Sequence, residues 1–369
     1  MSHTIEQIAL KAPSPGTQRF LVVHKFNNGT PGPKVYIQAA LHADEWPGLL
    51  TLQHLLEQLI VLEKENNIRG EIVIVPFANP IGLDQKINGC VLGRHSFSAE
   101  GNFNRYWPDF SETVRKLTTE TSATVGTIKQ GLIEAAKNLP SNTPLEQLKA
   151  VLIGQSIDAD IVLELHCDSE AIMHIFSNYR HKEQSETLAK CISSPLVLLE
   201  DTLIGSPFDV AHIQPWIEAE KANIPFACFA ATIELRGFVD VSDELAAKDA
   251  IGILKFLTNQ KSLDTSLLHD QNFKTETTNL TAVDFVCAPD TGIITWKVAI
   301  GDTIEKNQII AEIVNIESLT PNKERTAVFS RTKGVLFARP MARLATQGDI
   351  IAKIAGKEDF ENPAVGLTL

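Results

Sequence analysis

Short apolar runs alternate with amphipathic segments through the first part of the chain. Residues 34–40 (KVYIQAA) read as a buried strand that runs straight into LHADEWPG. Residues 48–65 (GLLTLQHLLEQLIVLEKE) place apolar side chains at helical spacing. GEIVIVPFANP reads as a second buried strand, stopped by Pro80. Strand, helix, strand is the βαβ pattern of an α/β sheet. Residues 111–157 then read as helices split by the turn-rich LPSNTP, a helical insertion in that pattern. ADIVLELHCD and IPFACFAATIELRG, ending at Gly237, predict further buried strands, and DELAAKDAIGILKFLT a helix with an acidic start.

Near residue 262 the texture changes. SLDTSLLHDQNFKTETTNLTA is polar and predicts a linker or a peripheral strand. From Val283 onward short strand-like runs alternate with turns, which predicts a small all-β domain. Two internal echoes, GIITWKVAIGDTIEKNQIIAEI and GVLFARPMARLATQGDIIAKIA, imply two similar β-hooks packed together. The expected division is an α/β catalytic unit over 1–262, with its insertion at 111–157, and a β domain over 263–369.

Composition narrows the class. Lys plus Arg number 33 against 45 Asp plus Glu, a net charge of −12, which argues against a nucleic-acid binder with a basic stripe for phosphates. Hydrophobic residues are 44% and charged residues 21% of 369, an ordinary globular balance that can bury a large core without disulfides. Cys90, Cys167, Cys191, Cys228 and Cys287 are scattered with no C-x-x-C pair, which fits reduced thiols in the cytoplasm. No apolar run approaches the roughly 18 residues of a membrane span. MSHTIEQIAL has no basic region followed by an apolar one, so neither a signal peptide nor a membrane partner is expected.

Four short elements carry candidate chemistry. His42 and Glu45 follow a strand with H-x-x-E spacing, and can face one metal if the backbone turns there, as Pro47 and Gly48 suggest. His166 sits at the carboxyl end of another strand, where sites gather in open α/β sheets. Two histidines and one carboxylate are a ligand set for catalytic zinc. Asn104 and Arg105, in NFNRYWP, can bind a carboxylate, or Arg105 can pair with a nearby acid. Glu234, in ATIELRG, puts a carboxylate at a strand end, either as a general base or as an ion-pair partner of Arg236.

The order of these elements resembles the zinc carboxypeptidase superfamily, and within it the succinylglutamate desuccinylase/aspartoacylase family. LHADEWPG, NFNRYWP, ELHCD and TIELRG carry the resemblance over roughly residues 30–260. It implies a zinc-carboxypeptidase-like mixed sheet flanked by helices, with one zinc per chain on His42, Glu45 and His166. It implies Glu234 as the general base toward zinc-activated water, and Asn104 with Arg105 as the grip on a substrate carboxylate. An upstream arginine supports the oxyanion in this family, and Arg94, in LGRHSF, is the candidate here. Apart from the resemblance, Arg236 can pair with Glu234 or help bind an acidic substrate, and it is assigned to the substrate. Members commonly carry Asp-Leu-Asn-Arg where this chain has Asn102-Phe103-Asn104-Arg105, a change that removes a charge beside the site. The implied activity is hydrolysis of a small N-acyl amino acid or a related carboxylate-bearing amide. A carboxypeptidase acting on short peptides is the alternative enzyme.

Neighbouring residues receive plainer readings. Cys167 alternates with His166 and belongs in the core. Asp44 is either a partner that orients an imidazole or a solvated turn residue. His174 is expected to be structural, His95 to lie on the surface, and Trp46 and Trp107 to be packing walls. The β domain resembles the barrel-sandwich hybrid of biotinyl and lipoyl carriers, but Lys323 lies in a longer loop without the carrier context. No prosthetic group is expected, which weighs against a non-catalytic carrier. A β cap over the cleft would admit small molecules. Whether the chain forms a homo-oligomer stays open.

Overall fold

Ile161–Asp168 (IVLELHCD) is buried on both faces because it is the middle strand of a nine-stranded mixed sheet. The computed structural model describes residues 3–98, 101–120, 123–201, 205–267, 272–317, 320 and 324–360. Across the sheet the strands run His3–Leu10, Arg19–Phe26, Glu71–Val75, Lys34–Ala39, Ile161–Asp168, Phe229–Gly237, His174–Asn178, Leu196–Glu200 and Glu276–Asn279. Lys34–Ala39, Ile161–Asp168 and Phe229–Gly237 are mutually parallel neighbours. Their carboxyl ends therefore open at one edge of the sheet, where the candidate residues lie.

Strand alternation sends side chains into two cores. Ile161, Leu163 and Leu165 face one side, under the helices Pro47–Lys64, Lys182–Ile192 and Asp243–Asn259. Val162 faces the other, with Val125–Lys137, Pro144–Ser156 and Phe208–Glu220. Helix Pro47–Lys64 sits so close to the sheet that a Cβ at Gly48 would stand 3.0 Å from the Cβ atoms of both Ala39 and Leu165.

The 111–157 segment forms three helices, Ser111–Glu120, Val125–Lys137 and Pro144–Ser156. Thr124 and Thr143 each close a capping box, which starts a new helix at each point. The polar stretch after residue 262 contributes the edge strand Glu276–Asn279, parallel to Leu196–Glu200. His3–Leu10 and Arg19–Phe26 add an antiparallel pair that the hydrophobic pattern does not reveal, because the outer strand is mostly exposed.

The C-terminal strands make two further sheets. One holds Val283–Cys287, Ile350–Ala355, Gly334–Arg339 and Thr303–Ile304, the other Arg325–Phe329, Ile309–Val314, Gly292–Trp296 and Leu344–Ala345. Each sequence echo forms a hook whose short middle strand pairs with the other hook: Thr303–Ile304 with Gly334–Arg339, and Leu344–Ala345 with Gly292–Trp296. Lys323 lies outside the described residues. Among the described residues no helix is long and apolar enough to cross a membrane.

Candidate metal centre and active-site cavity

The chain turns sharply after Lys34–Ala39, with Ala40 at φ +56°. Pro47 then opens the next helix, so His42 and Glu45 are held in the short turn between strand and helix. Gly93 packs against this turn: a Cβ there would stand 2.5 Å from the Asp44 nitrogen, and the Gly93 carbonyl accepts a hydrogen bond from Ala43 N at 3.1 Å. That contact delivers Arg94 to the same place.

His42, Glu45 and His166 converge, each buried, with one ligand atom apiece all within 4.8 Å of one another. His42 Nδ1 is 2.9 Å from Glu45 Oε1, and His166 Nδ1 is 2.6 Å from Glu45 Oε2. The far nitrogen of each ring is engaged by an acceptor. His42 Nε2 donates to Asn102 Oδ1 at 2.7 Å, and His166 Nε2 to Glu164 Oε1 at 3.0 Å. At His42 this contact protonates Nε2 and leaves the Nδ1 lone pair for a ligand role. A wholly buried Glu164 is in turn held by Gln38 Nε2 at 3.0 Å, and Gln38 Oε1 accepts from Tyr36 OH at 2.8 Å. Burial pushes the His42 imidazole down to about 4, which keeps it neutral and able to ligate. Glu164 and Glu45 overcome the same burial at His166 and raise its pKa well above the ordinary value, so positive charge is favoured between these carboxylates. Donor type and field fit one divalent cation, which would take the place of the proton between His166 and Glu45.

These residues open into a cavity of about 290 Å³, at the small end of small-molecule sites. Glu234 lines it, from the strand beside His166 (the two are register partners). Its buried Oε2 has no hydrogen-bond partner among the described residues. Burial and then Glu45 push its carboxyl up to about 8. Arg94 also lines the cavity and donates from its guanidinium to Glu45 Oε1 at 3.1 Å, while its Nε is buried with no partner among the described residues. Arg105 lines the same cavity, as do Glu200 and Asp209.

Asn104 lines the cavity as well, but its side chain is already committed. Oδ1 accepts from Phe208 N at 2.8 Å, at the start of helix Phe208–Glu220, and Nδ2 donates to Glu164 Oε2 at 3.4 Å. Arg105 also donates from its guanidinium to the Asn104 carbonyl at 2.7 Å. The helical insertion supports this loop: Lys149 Nζ donates to the Arg105 carbonyl at 2.8 Å and lies over the Trp107 ring.

Arg236 does not join the site. Regular alternation would put it on the face of Glu234, but the strand bulges after Glu234 and Arg236 adopts φ +67°. The guanidinium turns away and forks onto the buried Asp249 of helix Asp243–Asn259. Substrate binding by Arg236 is accordingly replaced by this ion pair. Asp44 lines the cavity, His95 is exposed, and Cys167 and His174 are buried. Trp107 is buried and Trp46 about half exposed.

Two contacts escape a reading of motifs. Asn102 orients His42, and the Cys167 backbone N–H donates to Glu45 Oε2 at 3.1 Å. The partner of His166 had a signal, since Glu164 and His166 alternate onto one strand face.

Known proteins similar to this chain share its family and fold. The family model of the succinylglutamate desuccinylase/aspartoacylase catalytic domain matches residues 31–259. The chain is 24% identical over 335 residues to N-alpha-acetyl-L-2,4-diaminobutyric acid deacetylase from Halomonas elongata, covering 88% of this chain and 82% of that one. In fold it is similar to a succinylglutamate desuccinylase/aspartoacylase family protein from Shewanella amazonensis SB2B, with a TM-score of 0.85 and 23% identity over 95% of this chain and 98% of the other. It is also similar to the product-bound ectoine utilization protein EutE (DoeB) from Ruegeria pomeroyi, with a TM-score of 0.68 and 15% identity over 96% and 94%. The chain belongs to the succinylglutamate desuccinylase/aspartoacylase family of amide-cleaving enzymes.

Proposed function

We propose that this protein is a zinc-dependent deacylase that hydrolyses the amide bond of a small N-acyl amino acid. One observation carries the reading: three ligand-type side chains and a glutamate whose buried Oε2 has no partner among the described residues share one small cavity. His42, Glu45 and His166 would hold one zinc ion, which when bound supplies Lewis acidity toward water and the scissile carbonyl. Glu234 takes a proton from the attacking water and passes it to the leaving nitrogen as the C–N bond breaks. Arg94 directs guanidinium N–H groups at the oxyanion that develops on the carbonyl oxygen. Arg105 grips the substrate carboxylate, and Asn104 and Glu164, both in contact with His166 Nε2, orient that ring.

The Halomonas relative is named for an N-acetylated amino acid, which supports the same substrate class here. A cavity of this size with a wall contributed by Lys353 of the β sheets favours such a molecule over a peptide. All five cysteines are free, which fits a cytoplasmic enzyme. The test is amine release from a panel of N-acetyl and N-succinyl amino acids by the zinc-supplied protein, beside His166→Ala. Hydrolysis of at least one member by the parent protein and none by the variant is expected. No hydrolysis across the panel, with zinc bound, would overturn the substrate assignment.

A further inference from the structure

One wall of the cavity comes from outside the family-matched residues. Lys353 lies on strand Ile350–Ala355, far beyond residue 259, yet it lines the cavity that holds His166 and Glu234. It is buried, 7% exposed, and its Nζ stands 2.6 Å from Asp168 Oδ2. Lysine is among the residues least often buried, and its desolvation costs several kcal/mol unless a partner offsets it.

Asp168 is a junction. It ends the strand that presents His166, and it is the register partner of Gly237, just past Glu234 on the neighbouring strand. Its Oδ1 accepts from Ser169 N at 2.8 Å. Two residues on, Glu170–Ala171 pairs with Gly334–Arg339 of the β sheets. The chain therefore passes from His166 into the β domain within a few residues. Attachment there does not need Lys353, because Arg339 and Arg343 already clasp Glu170. The two carboxylates at the strand ends also differ in a way that matters. Asp168 has a cation, while Glu234 keeps a buried oxygen free. Pairing Asp168 keeps an uncompensated negative charge from standing beside Glu234.

We propose that Lys353 is a positioning residue of the hydrolytic site, fixing Asp168 and with it the strand ends that present His166 and Glu234. The β domain then completes the active site rather than only covering it. This rests on the hydrolase reading above.

The experiment compares full-length Lys353→Met, Lys353→Arg and the Lys353→Met/Asp168→Asn double variant with the parent protein. Three quantities are read: kcat and KM on an N-acetyl amino acid that the parent hydrolyses, the rate of zinc release to a chelator, and melting temperature. Lys353→Met leaves Asp168 buried and unpaired, so the double variant, which removes both charges, guards against simple misfolding. We expect kcat to fall and zinc release to quicken by about tenfold or more in both Met-containing proteins, the range seen when groups behind a metal site are lost. KM should stay within about threefold, with partial rescue by arginine. A folded double variant with parental kcat and zinc release would overturn the proposal. If the parent binds zinc but cleaves no N-acyl amino acid, the substrate reading fails and zinc release alone decides on Lys353.

Discussion

His42 Nε2 donates to Asn102 Oδ1 at 2.7 Å, and the same oxygen accepts from Asn104 N at 2.7 Å. One amide oxygen thus sets both the tautomer of a metal-ligand candidate and the backbone of the substrate loop. Asn102→Ala removes this acceptor, and zinc affinity should fall by about 10–100-fold. Asn102→Asp supplies a charged acceptor and should retain or strengthen binding. Competition with a chelating dye measures both; equal affinity in the parent and the alanine variant would count against an orienting role.

Glu234→Gln keeps shape but cannot accept a proton as a carboxylate does. Activity should drop about 10²–10⁴-fold, with KM and bound zinc little changed. Loss of zinc in this variant would instead make Glu234 a ligand.

Arg236 and Asp249 form a buried pair away from the cavity. Arg236→Met leaves Asp249 unpaired at 2% exposure, and stability should fall by about 3 kcal/mol. Since Arg236 touches none of the candidate site, kcat and KM at a permissive temperature should remain at parental values. A selective rise in KM would return Arg236 to the substrate.

Acid should weaken the fold through buried neutral histidines. His212 donates from Nδ1 to the Phe208 carbonyl at 2.8 Å, and His181 packs edge-on to Phe226 and Phe229. Burial pushes each down to about 4 from 6.5. Between those values the unfolded chain binds protons that the folded chain does not. The contribution is therefore whole above pH 6.5 and is lost as pH falls toward 4, on the order of 3 kcal/mol per histidine. Urea midpoints at several pH values check this: His212→Gln should make the acid loss shallower, and an unchanged slope would refute it.

The legible parts of the sequence are those where one physical rule dominates. Buried parallel strands announce themselves as apolar runs, and the ends of Lys34–Ala39, Ile161–Asp168 and Phe229–Gly237 carry His42, His166 and Glu234 within reach. The hooks of the β sheets were visible as a repeat. Arg236 departs from the sequence expectation because a left-handed residue at a bulge turns its side chain off the face of Glu234. Asn102 was marked only as a departure from the family pattern, since its role depends on a loop folding back over some sixty residues onto His42. Lys353 lies still farther from its partner, 185 residues along the chain. Local pattern carries no information about such a pair.

The most direct test of the metal centre is zinc stoichiometry by elemental analysis of the purified protein, with His42→Ala, Glu45→Gln and His166→Ala beside it. The expected result is about one zinc per parent chain and a marked loss in each variant, with melting temperature rising on zinc addition only in the parent. A parent chain that takes up no divalent metal, or variants that bind it as well as the parent, would contradict the assignment of these three residues.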